Sequence, residues 1–120
     1  MNTLKYTISE DRPLRFETIS GGYKLNYDIT QLEDGTWQYY TMPLSTTMYN
    51  YIKGDNDKIY ECVISKIVRQ RYPDNDMTAI LSNYLAEPEN EKYQQEFFEL
   101  QNWRKLAKTT AKSVVLNEII

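Results

Sequence analysis

The spacing of apolar residues changes once along this chain, near Pro43, and that change limits the fold more than any other feature. Before it, apolar and polar residues alternate with period two; after it, they recur every three or four. A strand shows alternate residues to its two faces, whereas a helix gathers residues three and four apart on one stripe. The expected class is therefore α+β: a small N-terminal antiparallel sheet of three or four strands over residues 1–44, then a helical region of three to four helices over residues 45–120. At 120 residues the two parts are expected to share one core in one compact unit, from which the last helix can extend.

Within the first part, Leu4, Tyr6 and Ile8 predict one face of a strand. Leu14, Phe16 and Thr18 predict another after the Asp11-Arg12-Pro13 turn. Gly21-Gly22 reads as a tight hairpin turn, since glycine accepts positive φ. Tyr23, Leu25, Tyr27 and Ile29 then alternate. Asp34-Gly35 is a second hairpin signal, followed by the β-rich run Thr36-Trp37-Gln38-Tyr39-Tyr40-Thr41.

Helix signals begin with Ser45 or Thr46, either of which can cap the first free N–H groups. Met48, Tyr51 and Ile52 give a short apolar face. Gly54 interrupts, and Asp55 or Asn56 can cap a second helix whose inward residues are Ile59, Cys62 or Val63, Ile67 and Val68. Tyr72-Pro73 ends it, because proline disfavours the helical region for its predecessor. Asp74 reads as the next cap, before an amphipathic run of Met77, Ile80, Leu81, Tyr84 and Leu85. After Pro88, a stretch from about Glu89 to Asn117 has neither glycine nor proline, about 43 Å of helix if continuous. Its stripe runs Tyr93, Phe97, Leu100, Trp103, Ala107, Ala111 and Val114.

Composition matters most for what it excludes. The chain has 11 tyrosines and no histidine, which removes the commonest general base and the commonest metal ligand together. Cys62 is the single cysteine; with no histidine to make a thiolate, and with Val63 and Ile64 beside it, it reads as an inert core residue. Asp55-Asn56-Asp57 and Asp74-Asn75-Asp76 lack the ligand register of a calcium loop and read as helix-start acids. No catalytic, cofactor or metal residue is assigned, and the expectation is a protein that is not an enzyme. A net charge of −3 is too balanced to suggest a membrane or nucleic-acid partner. Arg104, Lys108 and Lys112 lie along one helical face, but basic residues near a helix C-terminus are favoured by its dipole, so a solvated face or an acidic protein surface is preferred to nucleic acid. The N-terminal residues show no basic region followed by an apolar run, and no stretch approaches the roughly 18 apolar residues of a span.

Protein contact is what remains. Tyr23, Tyr27, Trp37, Tyr39 and Tyr40 would fall on both faces of neighbouring strands; cross-strand packing accounts for most of them, and some are expected to remain partly exposed, as interface aromatics or a sugar platform. On the last helix, Trp103, Ala107, Ala111 and Val114 offer a close-approach seam for another helix, of this chain or of a second copy.

The runs Ile67-Val68-Arg69-Gln70-Arg71-Tyr72, Asp74 through Asp76, Ala79 through Leu85, Glu91-Lys92-Tyr93 through Phe97, and Trp103-Arg104 through Ala107-Lys108 together resemble small proteins encoded beside tail and tail-fibre genes of bacteriophages and prophages. The resemblance covers residues 60–112, and Asn26 through Leu44 resembles their β-rich N-terminal parts. It implies a non-catalytic virion protein, made in the host bacterial cytoplasm, that acts as a small adaptor of the tail, baseplate or fibre region. A non-virion assembly chaperone for a tail or fibre protein is the alternative. The implied partners are other phage structural subunits or copies of the chain itself, and the resemblance carries over no functional residue.

Overall fold

The computed structural model describes residues 3–53 and 57–115. Strands β1 (Thr7–Ser9), β2 (Phe16–Ile19), β3 (Gly22–Gln31) and β4 (Trp37–Leu44) form one antiparallel sheet in the order β1-β4-β3-β2. Helices α1 (Thr46–Lys53), α2 (Asp57–Arg71), α3 (Asp74–Ala86) and α4 (Glu91–Val115) follow. This is the α+β arrangement that the change of period predicts, with the long helix last.

The two central strands carry the core face. Leu25 pairs with Met42 and Tyr27 with Tyr40 across β3 and β4, and all four are buried against Val63, Ile67, Leu100 and Trp103 of the helices. The β2–β3 hairpin needs both its glycines. Gly21 has φ of 84°, where a Cβ is strained. A Cβ on Gly22 would stand 2.6 Å from the Leu44 carbonyl oxygen, so β4 could not approach. At the β3–β4 turn, Asp34 accepts hydrogen bonds from the Thr36 N–H and hydroxyl, which hold its carboxyl below the usual range.

Two strand expectations change. β1 pairs with β4 at the sheet edge, and of its expected residues only Thr7–Ser9 join the ladder. An edge strand has one neighbour and little cover, so Tyr6 and Ile8 are exposed while Leu4 packs against the core. Leu14 lies outside β2 and is 70% exposed. In β3, Asp28 and Ile29 oppose Tyr39 as a bulge between Tyr27 and Thr30. The bulge interrupts the alternation and leaves Ile29 half-buried.

Among the helix starts, Ser45 is the α1 cap, its hydroxyl accepting from the Met48 N–H at 3.1 Å. Asp55 and Asn56 lie outside the described residues, as do the side chains of Tyr51 and Ile59. Asp74 is not the α3 cap: Pro73 precedes the helix without a side-chain cap bond, and the Asp74 carboxylate accepts instead from Arg69 Nε at 3.0 Å. Asn90 caps α4, accepting from the Tyr93 N–H at 3.2 Å. Cys62 is exposed, which corrects its expected burial. Helical phase decides this, because Val63, Ile67 and Val68 take the inward stripe and Cys62 falls just outside it.

Truncating Leu25, which has no exposed surface, to alanine should cost about 2–5 kcal/mol, whereas Leu85→Ala, at a site 79% exposed, should stay within about 0.5 kcal/mol. Gly22→Ala should cost about 1–3 kcal/mol through the clash with Leu44. Urea denaturation of the three variants measures all three values.

Candidate functional site

Seven of the nine residues assigned from sequence to a contact surface are interior. Tyr27, Tyr39, Tyr40, Trp103, Ala107, Ala111 and Val114 are each no more than 7% exposed in the single chain. For all of them but Tyr39, which lies outside the core cluster, the reason is the helical layer: α4 lies along α2 and the sheet, so its small residues form the seam that the chain itself fills. Its second half is held there by Arg15 Nη1, which donates to the Ser113 carbonyl at 2.9 Å. Tyr23 and Trp37 keep partial exposure. Tyr23 stacks on Tyr49 with centroids 3.7 Å apart, and Arg12 stands 5.4 Å over Trp37.

The polar groups gather elsewhere, where β1, the β3 bulge, the end of α2 and the middle of α4 meet. A cleft of 310 Å³ there is lined by Tyr6, Asp28, Tyr40, Arg71, Glu99, Asn102, Trp103 and Leu106. Its wall is aromatic: Tyr6 stacks on Tyr40 at 4.1 Å, and Tyr40 meets Trp103 edge-on at 5.2 Å. The Trp103 N–H donates to the Ile67 carbonyl at 3.0 Å, fixing the indole plane.

Asp28 is placed by the bulge. It has φ of 54°, a left-handed conformation that aspartate tolerates better than most residues. The turn aims its carboxylate at Tyr6, whose hydroxyl donates to Oδ2 at 2.9 Å. Burial, with the Tyr40 and Asp28 hydrogen bonds, pushes the Tyr6 phenol above its ordinary pKa. Tyr27, behind the wall, is raised chiefly by burial, while Arg71 opposes. Its hydroxyl donates to Gln70 Oε1 at 2.6 Å, and Gln70 Nε2 donates to the Thr41 carbonyl at 2.6 Å.

Arg71 ends α2 with its guanidinium 5.0 Å over the Trp103 ring and 5.9 Å over Tyr72. An arginine on an aromatic face keeps its in-plane N–H groups for another acceptor. The cleft thus offers guanidinium and amide donors from Arg71 and Asn102 and carboxylate acceptors from Asp28 and Glu99. That set suits a ligand group carrying both donors and acceptors, such as a peptide segment. Of these residues only Tyr40 and Trp103 were singled out for contact from sequence. Asp28 carried one available signal, a residue tolerant of positive φ inside an alternating run. Arg71 carried none beyond its place at a helix end.

A second surface is apolar. Leu81 and Leu85, one turn apart on α3, are 37% and 79% exposed, and Phe98 on α4 is 52% exposed. Tyr84 stacks on Phe97 at 4.1 Å to hold the two helices together, and Phe97 meets Phe98 edge-on. α3 has no buried residue, so the amphipathic stripe read from its sequence is half-covered. Beside Leu81 a groove of 390 Å³ runs between α2, α3 and α4.

Among the described residues no group of three or more cysteine, aspartate or glutamate side chains is placed to hold a metal ion. No described helix is long and apolar enough to cross a membrane. Compared with protein-family models, with curated proteins and with solved structures, the chain matches none.

The raised Tyr27 phenol fixes a pH dependence. A phenol whose folded pKa lies above its unfolded value contributes stability that is complete below the unfolded pKa, about 10, and is lost as pH rises through the folded pKa. Unfolding free energy from urea titrations should stay level from about pH 7 to about pH 9. Above about pH 10 it should fall by about 1.4 kcal/mol per pH unit for Tyr27. Tyr27→Phe should remove that share of the slope, and an unchanged slope would contradict the burial of the phenol.

Proposed function

We propose that this chain is a non-catalytic accessory protein of a bacteriophage tail, baseplate or tail fibre that works through protein contacts. The observation that carries the reading is the apolar ridge of Leu81, Leu85 and Phe98 on the α3–α4 hairpin. These side chains are exposed although the same helices have a covered face. Large exposed apolar residues grouped on one surface are the usual mark of a protein contact site. The resemblance of residues 60–112 to proteins encoded beside tail and fibre genes supports the phage setting, and the ridge lies inside that stretch.

The ridge replaces the alanine seam as the contact surface. Ala107 and Ala111 have no exposed surface, so a partner or a second copy meets the chain through α3 and the first half of α4. The aromatic cleft at Arg71 supplies a second contact of polar character, suited to a loop of the same partner. Burial and the Asp28 hydrogen bond push the Tyr6 phenol up, so it stays a hydrogen-bond donor, and the cleft recognises by hydrogen bonding and charge.

Mass spectrometry of purified, density-banded phage particles tests the reading. The chain should be present in a fixed ratio to tail proteins. Recovery only with unassembled tail or fibre subunits would make it an assembly chaperone and overturn the virion role. Replacing Leu81 and Leu85 together by lysine should cost within about 1 kcal/mol of fold stability, since both sites are exposed, and should remove the chain from particles. Normal incorporation of that variant would show that the ridge is not the contact.

A further inference from the structure

Among the described residues, Tyr72 is the one whose buried side-chain polar atom, its hydroxyl, has no hydrogen-bond partner. The residue is 1% exposed. Tyrosine is chosen over phenylalanine in a core when its hydroxyl has something to bind. The side chain lines a pocket of 260 Å³ between the end of α2, α3 and the first half of α4. The remaining lining is Asp76, Ala79, Ile80, Glu96 and Glu99. Neither Leu81, Leu85 nor Phe98 is among these lining residues, so the pocket is separate from the apolar ridge.

The lining has one sign of charge. Burial pushes the Tyr72 phenol up, and the Glu99 and Glu96 carboxylates push it the same way against Arg71. The hydroxyl end of Tyr72 therefore lies in the field of two carboxylates of its own pocket. Glu96 is met by Lys92 at 3.9 Å, a loose exposed pair, and Glu99 Oε1 accepts from Gln95 at 3.0 Å. Both retain acceptor sites, since a carboxylate can accept about four hydrogen bonds. Ala79 and Ile80 add an apolar wall.

We infer that this pocket binds an alkylammonium group, either a lysine side chain of a partner or a free aliphatic amine. An ammonium carries three N–H donors on a tetrahedral nitrogen. One reaches the Tyr72 hydroxyl oxygen and the others reach Glu96 and Glu99, while the alkyl stem lies on Ala79 and Ile80. An anion is repelled by three carboxylates, and a metal ion lacks a close enough ligand group among the described residues. The inference goes beyond the proposed phage role and does not depend on it.

Titration of the ¹⁵N-labelled full chain with n-butylammonium, followed by two-dimensional NMR, tests it. Saturable shifts should centre on the amides of Tyr72, Ala79, Ile80 and Glu96, and neutral n-butanol should give none. Affinity should fall about tenfold or more in the Glu96→Gln, Glu99→Gln double variant and several-fold in Tyr72→Phe. Tyr72→Phe should fold with equal or greater stability, because no partner of the hydroxyl is lost. Shifts that do not saturate, equal binding by Tyr72→Phe, or a destabilised Tyr72→Phe would overturn the site, as would tighter binding of methylguanidinium. Nα-acetyl-lysine amide separates the two sources. Binding at least as tight as n-butylammonium supports a protein lysine, and binding of n-butylammonium alone supports a free amine.

Discussion

Trp103 is the side chain on which sheet and helices meet. Its ring faces Tyr40 at 5.2 Å and Tyr27 at 6.3 Å, both edge-on, and its N–H is spent on the carbonyl of Ile67 in α2. One residue thus joins β3, β4, α2 and α4. Aromatic pairs of this kind contribute about 0.5–1.5 kcal/mol each beyond their burial, and a buried hydrogen bond about 1 kcal/mol. Gln70 reinforces the joint from α2, taking the Tyr27 hydroxyl on one side and reaching the β4 backbone at Thr41 on the other. On the outer face Asn26 closes the account. Its amide donates to the Leu14 carbonyl at 2.7 Å and its carbonyl oxygen accepts from the Thr41 hydroxyl, so a buried amide is satisfied.

The candidate surfaces inherit their geometry from this joint. Arg71 is positioned by the Trp103 ring, and Glu99 and Asn102 are carried on the same stretch of α4. Glu99 lines both the aromatic cleft and the Tyr72 pocket, so the two polar sites lie on either side of one α4 turn. α3 contributes little to the core, since none of its residues is buried. What holds it is Met77 and Ile80, half-buried against the core, and the stack of Tyr84 on Phe97, while the exposed Arg69–Asp74 pair at its start adds little. A helix attached by one edge leaves Leu81 and Leu85 exposed on the other.

Much of this was legible in the residues. The period change gave the class, Gly21-Gly22 the hairpin, Ser45 the first cap and Tyr72-Pro73 the end of α2, because each is set by local sterics or a local hydrogen bond. The features that escaped are set by contacts distant in sequence. β1 joins β4 across some 30 residues, a choice that alternation cannot encode. The bulge at Asp28 shifts the register after Tyr27, although the sequence alternation Tyr23, Leu25, Tyr27, Ile29 runs on without a mark of it. Which of the sheet tyrosines stay exposed was not legible, because strand periodicity does not say which face the helices cover, and the helices cover the face of Tyr27 and Tyr40. The alanine seam reads as an approach surface for a helix of this chain or of a second copy, and in the structure Ala107 and Ala111 lie in this chain's own core. Cys62 and Val63 were equivalent by composition, and helical phase against the sheet separated them.

The central claim is that sheet and helices form one cooperative unit locked at Trp103. Native-state hydrogen exchange in increasing denaturant tests it most directly, with the slowest amides of β3, β4, α2 and α4 followed separately. A single joint predicts that all four merge into one global unfolding free energy. Sheet amides that exchange through their own opening, at a lower free energy than those of α2 and α4, would contradict it.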